Sequence, residues 1–136
     1  MLDGLDGMVE VGPLDAHLRP YLPSESMTVS AWVSVHTPTE WGGFAGVIQD
    51  NGQDEAGWLL GYLGERFCFA LASGEEGPLT YLAAPSSFTE DRWYHLAGTY
   101  DGTTMRLWVD GKQVAESTEQ AGPIRYPNQG RMAIGA

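Results

Sequence analysis

Cysteine is almost absent: Cys68 is the only one in 136 residues. No disulfide can form within the chain, which excludes a disulfide scaffold. The setting of Cys68, Phe67-Cys68-Phe69-Ala70-Leu71, is an apolar strand-like run, so it reads as a small buried thiol and not as a nucleophile. Cations are scarce as well. Seven Lys and Arg face 18 Asp and Glu, for a net charge of −11, and Lys112 is the sole lysine. Such a surface repels phosphate backbones and anionic headgroups, which argues against nucleic-acid and membrane-surface partners. No apolar run approaches the roughly 18 residues of a membrane span, and insertion is not expected. No basic segment followed by an apolar stretch marks a secretory signal. Helical patterning is missing apart from one candidate turn over residues 14–18, held between Pro13 and Pro20. What the chain has instead is 18 Gly and 8 Pro, residues that break helices and punctuate turns.

Period-2 alternation fills the space between those turns. Over residues 26–36, Met27, Val29, Ala31, Val33 and Val35 fall on one face, and Thr28, Ser30, Trp32, Ser34 and His36 on the other. That is a strand with one apolar face. Further strands are predicted at 8–11, 44–49, 57–63, 66–73, 79–84 and 129–135. The sharpest local signal is the run 92–117, where Asp101-Gly102 and Asp110-Gly111 separate three alternating segments. Asp-Gly favours the two-residue hairpin because both turn positions need positive φ, so a three-strand antiparallel meander is predicted. Short strands at this spacing, with no linker or repeat between them, predict an all-β fold: an antiparallel β-sandwich or jelly roll.

Three stretches carry a family resemblance. They are Leu2-Asp3-Gly4-Leu5-Asp6-Gly7-Met8-Val9-Glu10-Val11, then Met27-Thr28-Val29-Ser30-Ala31-Trp32-Val33, then Arg92-Trp93-Tyr94-His95-Leu96-Ala97-Gly98-Thr99-Tyr100-Asp101-Gly102 continued by Met105-Arg106-Leu107-Trp108-Val109-Asp110-Gly111. In this order they resemble the laminin G-like jelly-roll family of the concanavalin A-like lectin/glucanase superfamily. The resemblance implies one concanavalin A-like sandwich domain over residues 1–136. It also implies a non-catalytic carbohydrate-recognition or adhesion module of a larger bacterial extracellular or envelope protein. The alternative is a spacer or protein-docking domain attached to a glycosidase, sulfatase or phosphoesterase, with no small ligand of its own. One departure stands out. Family members usually close with a further strand after the one that Met132-Ala133-Ile134-Gly135 resembles. This chain stops at Ala136, as a piece of a longer protein would. Lacking that strand, it is expected to leave an open edge near Met8 to Val11 for another chain or the missing C-terminal segment.

Candidate sites were sought by chemistry. The glucanase branch carries E-x-D-x-x-E on one strand, which sets two carboxylates at the separation glycoside hydrolysis needs. Here Glu75-Glu76, Glu90-Asp91 and Asp54-Glu55 are adjacent pairs in turns, and no catalytic residue is expected within the chain. His17 and His36 lack partners at metal spacing, and His95 reads as a packing residue. Calcium takes roughly six to eight oxygens, and the resemblance implies a structural calcium at the sandwich rim. Two acidic loops could serve it, through Asp3 and Asp6 in one and Asp50 and Asp54 in the other, although Asp, Asn and Gly are also the ordinary turn-formers. Sugars offer C–H faces to aromatic rings and hydroxyls to planar polar groups. Among the aromatic residues, Trp93, Phe67 and Phe69 are expected in the core and Trp32 beneath a cover. Trp41 and Tyr126 sit in loops, and Trp108 on the polar face of its strand. Trp41 and Tyr126, with Asp50, Asn51 and Asn128, make the predicted rim site, and Trp108 joins the ligand-binding set from its strand face, which either lines a concave surface or is covered by loops. The competing reading is that the loop aromatics plug the ends of the sandwich.

Overall fold

The computed structural model describes residues 7–135. The alternating segments form β1 (Val9–Pro13), β2 (Met27–Val33), β3 (Trp41–Gln49), β4 (Ala56–Leu63), β5 (Arg66–Leu71), β6 (Thr80–Ala83), β7 (Tyr94–Tyr100), β8 (Met105–Val109), β9 (Lys112–Ser117) and β10 (Arg131–Ile134). They assemble into a six-stranded sheet, in the order β1-β10-β3-β4-β5-β6, and a four-stranded sheet, β2-β7-β8-β9. Every named pairing is antiparallel. The chain changes sheet after β1, β2, β6 and β9, so the two sheets face each other as a jelly-roll sandwich, as the alternation predicts. Among the described residues no helix is long and apolar enough to cross a membrane.

Alternation decides which side chains fill the space between the sheets. Along β7, Tyr94, Leu96, Gly98 and Tyr100 point inward, and His95, Ala97 and Thr99 outward. Phe67, Phe69, Leu60 and Leu71 supply the opposing surface, and all are buried. Gly98 is where the sheets approach most demandingly. A Cβ there would stand 2.6 Å from the Phe69 ring, so the absent side chain makes room for the phenyl group.

Several local expectations change. Asp110 and Gly111 both adopt positive φ, 52° and 79°, and close the tight hairpin expected between β8 and β9. Asp101-Gly102 does not, because pairing stops at Tyr100 and Met105 and leaves a four-residue link. The Asp101 carboxylate draws that link round by accepting from the amides of Thr103 and Thr104, at 2.9 and 2.8 Å. Those N–H donors, with the Thr103 hydroxyl, hold its acid down to about 2. The predicted helical turn at 14–18 becomes a 3-10 turn at Arg19–Tyr21, entered through amides that the Asp15 carboxylate caps. Strand β3 reaches back to Trp41, which pairs with Leu63, so Trp41 is a strand residue and not a loop residue. Trp93 is 53% and Trp32 68% exposed, against the core and covered positions expected of them. Trp93 precedes inward-pointing Tyr94, and Trp32 lies between inward-pointing Ala31 and Val33, so both indoles are sent outward. Strand β1 pairs with β10 on one side and forms the sheet edge on the other, with Val9 and Val11 half exposed.

Two outcomes follow. Gly98→Ala should cost about 1–3 kcal/mol through the clash with Phe69, read as a lower urea midpoint at unchanged slope. Asp101 has a folded pKa of about 2, below its ordinary 3.8. Its contribution is therefore complete above that ordinary value and is lost as pH falls through it towards 2. Acid melts of Asp101→Ala should lack this part of the wild-type decline.

Candidate functional site

Three loops meet at one end of the sandwich: 50–55 after β3, 72–79 after β5, and 118–130 after β9. Loops without strand partners need other groups to satisfy their backbone. Here Arg125 does so. Its guanidinium donates to the carbonyls of Glu55, Ser73, Gly74 and Gly77, and so ties its own loop to the other two. Gln120 repeats the device. Its Oε1 accepts from the Ser73 amide and hydroxyl, and its Nε2 donates to the Pro78 carbonyl and the Thr80 hydroxyl. Arg19 holds the far side by donating to the carbonyls of Pro127 and Asn128.

The pinned loops enclose an open cleft of about 590 Å3. It is lined by Gln49, Asp54, Glu75, Glu76, Asn128 and Gln129, together with Arg125 and Tyr126. The Glu55 carboxylate accepts from the Leu79 amide and is thereby committed to the loop. The exposed side chains offer amides and carboxylates, which suit hydroxyl groups, and the carboxylates give the cleft an acidic character.

The predicted site residues fall in separate places. Asn128 lines the cleft. Tyr126 lines it too, and its hydroxyl is committed: it donates to the Pro23 carbonyl at 2.6 Å, accepts from Trp58 Nε1 at 3.2 Å, and is pushed up to about 12 by burial. Asp54 is on the cleft wall, but Asn51 Oδ1 is turned onto the amides of Gln53 and Asp54, the turn-forming role. Asp50 accepts from the Tyr81 hydroxyl at 2.5 Å, and burial together with that carboxylate raises the hydroxyl's pKa. Trp41 begins the strand whose other end reaches this rim; eight steps of about 3.3 Å place it about 26 Å away. Trp108 is on the outer face of the four-stranded sheet, where its Nε1 donates to Thr99 Oγ1 at 3.2 Å. Glu75, Glu76, Gln49 and Gln129 were not in the predicted set. Glu75 and Glu76 were visible only as solvated turn acids, because the cleft exists only through contacts far apart in sequence.

The metal expectation meets a specific geometry. Asp3 and Asp6 lie outside the described residues. Among the described residues no three His, Cys, Asp or Glu side chains converge on a common point. His36 meets Asp91 at 2.6 Å, and this hydrogen bond raises its proton affinity. Cys68 is fully buried and its thiol is pushed up to about 12 by desolvation, which keeps it protonated.

Residues 7–136 match the Laminin_G_3 family, described as the concanavalin A-like lectin/glucanases superfamily. The chain belongs to this family. Mouse pappalysin-1 is 30% identical over 118 residues, covering 78% of this chain and 7% of its own length, and human pappalysin-1 matches to the same extent. The laminin G-like chain thus spans a small part of the curated relatives it matches. Among solved structures, a CBM40 domain of a Ruminococcus gnavus sialidase bound to α2,3-sialyllactose superposes with a TM-score of 0.68 at 10% identity, over 95% of this chain and 77% of that one. A heptameric SAP-like pentraxin from Limulus polyphemus gives 0.53 at 17%, over 84% and 54%. Domain 4 of a Geobacillus stearothermophilus arabinanase in complex with arabinotriose gives 0.50 at 16%, over 85% and 53%. At such identities these are likenesses of fold.

Tyr126→Phe tests the hydroxyl that anchors this part of the cleft lining. Loss of the hydroxyl leaves the Pro23 carbonyl and the Trp58 N–H without this partner, and should cost about 1–3 kcal/mol in a denaturant melt.

Proposed function

We propose that this laminin G-like domain is a non-catalytic carbohydrate-binding module of a larger extracellular or cell-envelope protein, bacterial in origin, and that its ligand enters the loop cleft. The cleft itself carries the reading: amide and carboxylate side chains on loops pinned by Arg125 form a ready-made polar rim. Support comes from two proteins of like fold, described with sialyllactose and with arabinotriose. Gln49, Asn128 and Gln129 would accept and donate to sugar hydroxyls, and Asp54, Glu75 and Glu76 would accept from them. Binding of this kind needs no covalent step.

A glycan panel read by thermal melt tests it, since a ligand of the native state raises the midpoint. The expected outcome is a shift with at least one glycan, reduced about tenfold in apparent affinity by Asn128→Ala. A panel without any shift, or a shift untouched by Asn128→Ala and Glu75→Gln together, rejects the cleft.

Calcium belongs to this proposal through the Asp50–Asp54 loop, where exposed carboxylates and neighbouring carbonyls could supply part of the oxygen set. Melts with and without calcium should then differ, and the difference should vanish in Asp54→Ala. No difference removes calcium from the reading. A second reading, a docking or spacer domain beside a hydrolase, is favoured by the β1 edge, where Val9, Val11 and Ile134 expose apolar surface and β1, among the described residues, pairs on one side only.

A further inference from the structure

The outer face of the four-stranded sheet is a second surface with ligand chemistry, and the cleft uses none of it. Register fixes its layout. Trp32 stands opposite His95, Ser30 opposite Ala97, and Thr28 opposite Thr99. Across the next ladder, Ala97 stands opposite Trp108 and Thr99 opposite Arg106. The two indoles therefore lie on a diagonal. Two interstrand steps of about 4.8 Å and one two-residue step of about 6.7 Å put their Cα atoms about 12 Å apart. The diagonal crosses β7 between His95, opposite Trp32, and Ala97, opposite Trp108, and the small residues Ser30 and Ala97 lie in one row with Trp108.

Both rings are held in place. Trp32 is 68% exposed, and its ring meets His95 in an edge contact at 5.3 Å and 64°. Trp108 is fixed by its hydrogen bond to Thr99. Orientation set before binding lowers the entropic cost of association. The charge on this face is also closed. Arg106 lies 3.4 Å from Asp101 and 3.7 Å from Glu116, so its cation is already matched. A chain of net charge −11 whose Arg106 is already matched would repel an acidic sugar here.

We propose that this face is a second binding site, for an uncharged oligosaccharide lying flat across Trp32 and Trp108. A pyranose with equatorial hydroxyls presents apolar C–H faces, which suit the two indoles, and edge hydroxyls, which reach Thr28, Ser30 and Thr99. The inference rests on the carbohydrate reading above but on different residues, so the two separate experimentally.

Titration with cellohexaose, xylohexaose and mannohexaose, followed by NMR of the indole N–H and side-chain amide signals, tests it, with sialyllactose as the acidic control. At least one neutral probe should shift the Trp32 and Trp108 indoles and leave the Asn128 amide unmoved. Trp32→Ala should weaken that binding at least about tenfold. Ser30→Arg, which sets a bulky side chain in the row of Ala97 and Trp108 and keeps both rings, should do the same while the melt stays near wild type. Neutral binding that leaves both indoles unshifted, or that survives both variants, overturns this site and leaves the cleft standing. Binding confined to sialyllactose overturns it too. If no glycan binds at all, both readings fall. A dimer lost in Trp32→Ala, with no sugar bound, assigns the face to a second copy of the chain and overturns the proposal.

Discussion

The loop end of this molecule depends on one cation, Arg125, whose guanidinium is satisfied by main-chain carbonyls. Arg125 reaches Glu55, Ser73, Gly74 and Gly77. Each of those carbonyls would otherwise need water or a strand partner. Hydrogen bonds from a charged donor contribute about 1.5–3 kcal/mol each, and a planar guanidinium can deliver several in a fixed fork, where a lysine would offer a single point. Gln120, in the same loop, adds a neutral version of the same arrangement around Ser73. Together they convert three irregular segments into a wall, and the cleft is the space that wall leaves.

Core packing imposes a different constraint. The facing sheets claim every second side chain, to the point that Gly98 must lack one to admit Phe69. That demand says nothing about the alternate positions. On β7 and β8 these hold His95, Ala97, Thr99, Arg106 and Trp108, which are only partly buried. The inward half of each strand is thus set by the fold, and the outward half is available for recognition. A laminin G-like sandwich can keep one core and present two surfaces of different chemistry, one made by loops and one by strands.

The sequence is legible where the information is local. Alternation in β2 and β7 finds the strands and their faces, and Asp110-Gly111 finds its hairpin because both residues take the positive φ that the pair favours. Asp101-Gly102 misleads because the aspartate has a competing use: its carboxylate caps two amides and widens the turn. Trp32 is instructive in another way. Its alternation already puts it on the polar face, and the expected cover is absent from its outward side. The cleft is illegible for a plain reason. Arg125 meets carbonyls 48 to 70 residues away, and nothing near Ile124-Arg125-Tyr126 announces them. Tyr126 shows the same limit, since its hydroxyl partner Pro23 is 103 residues distant.

Charge then distinguishes the two surfaces. The net charge of −11 is a property of the whole chain, but its local expression differs. At the cleft, Asp54, Glu75 and Glu76 stand exposed beside an Arg125 already engaged with carbonyls. On the sheet, Arg106 sits between Asp101 and Glu116, so its cation is matched and one negative charge is left over. Hydrogen bonding to hydroxyls can proceed at either place, but stacking is available only where indoles are exposed, and polar contacts dominate where carboxylates line the wall. Fields from exposed carboxylates fade over about 8–10 Å in physiological salt, so the acids on the loops have little influence on the sheet face. On the proposed reading, a sugar would be held by two separate physical routes, stacking on the sheet face and hydrogen bonding in the cleft.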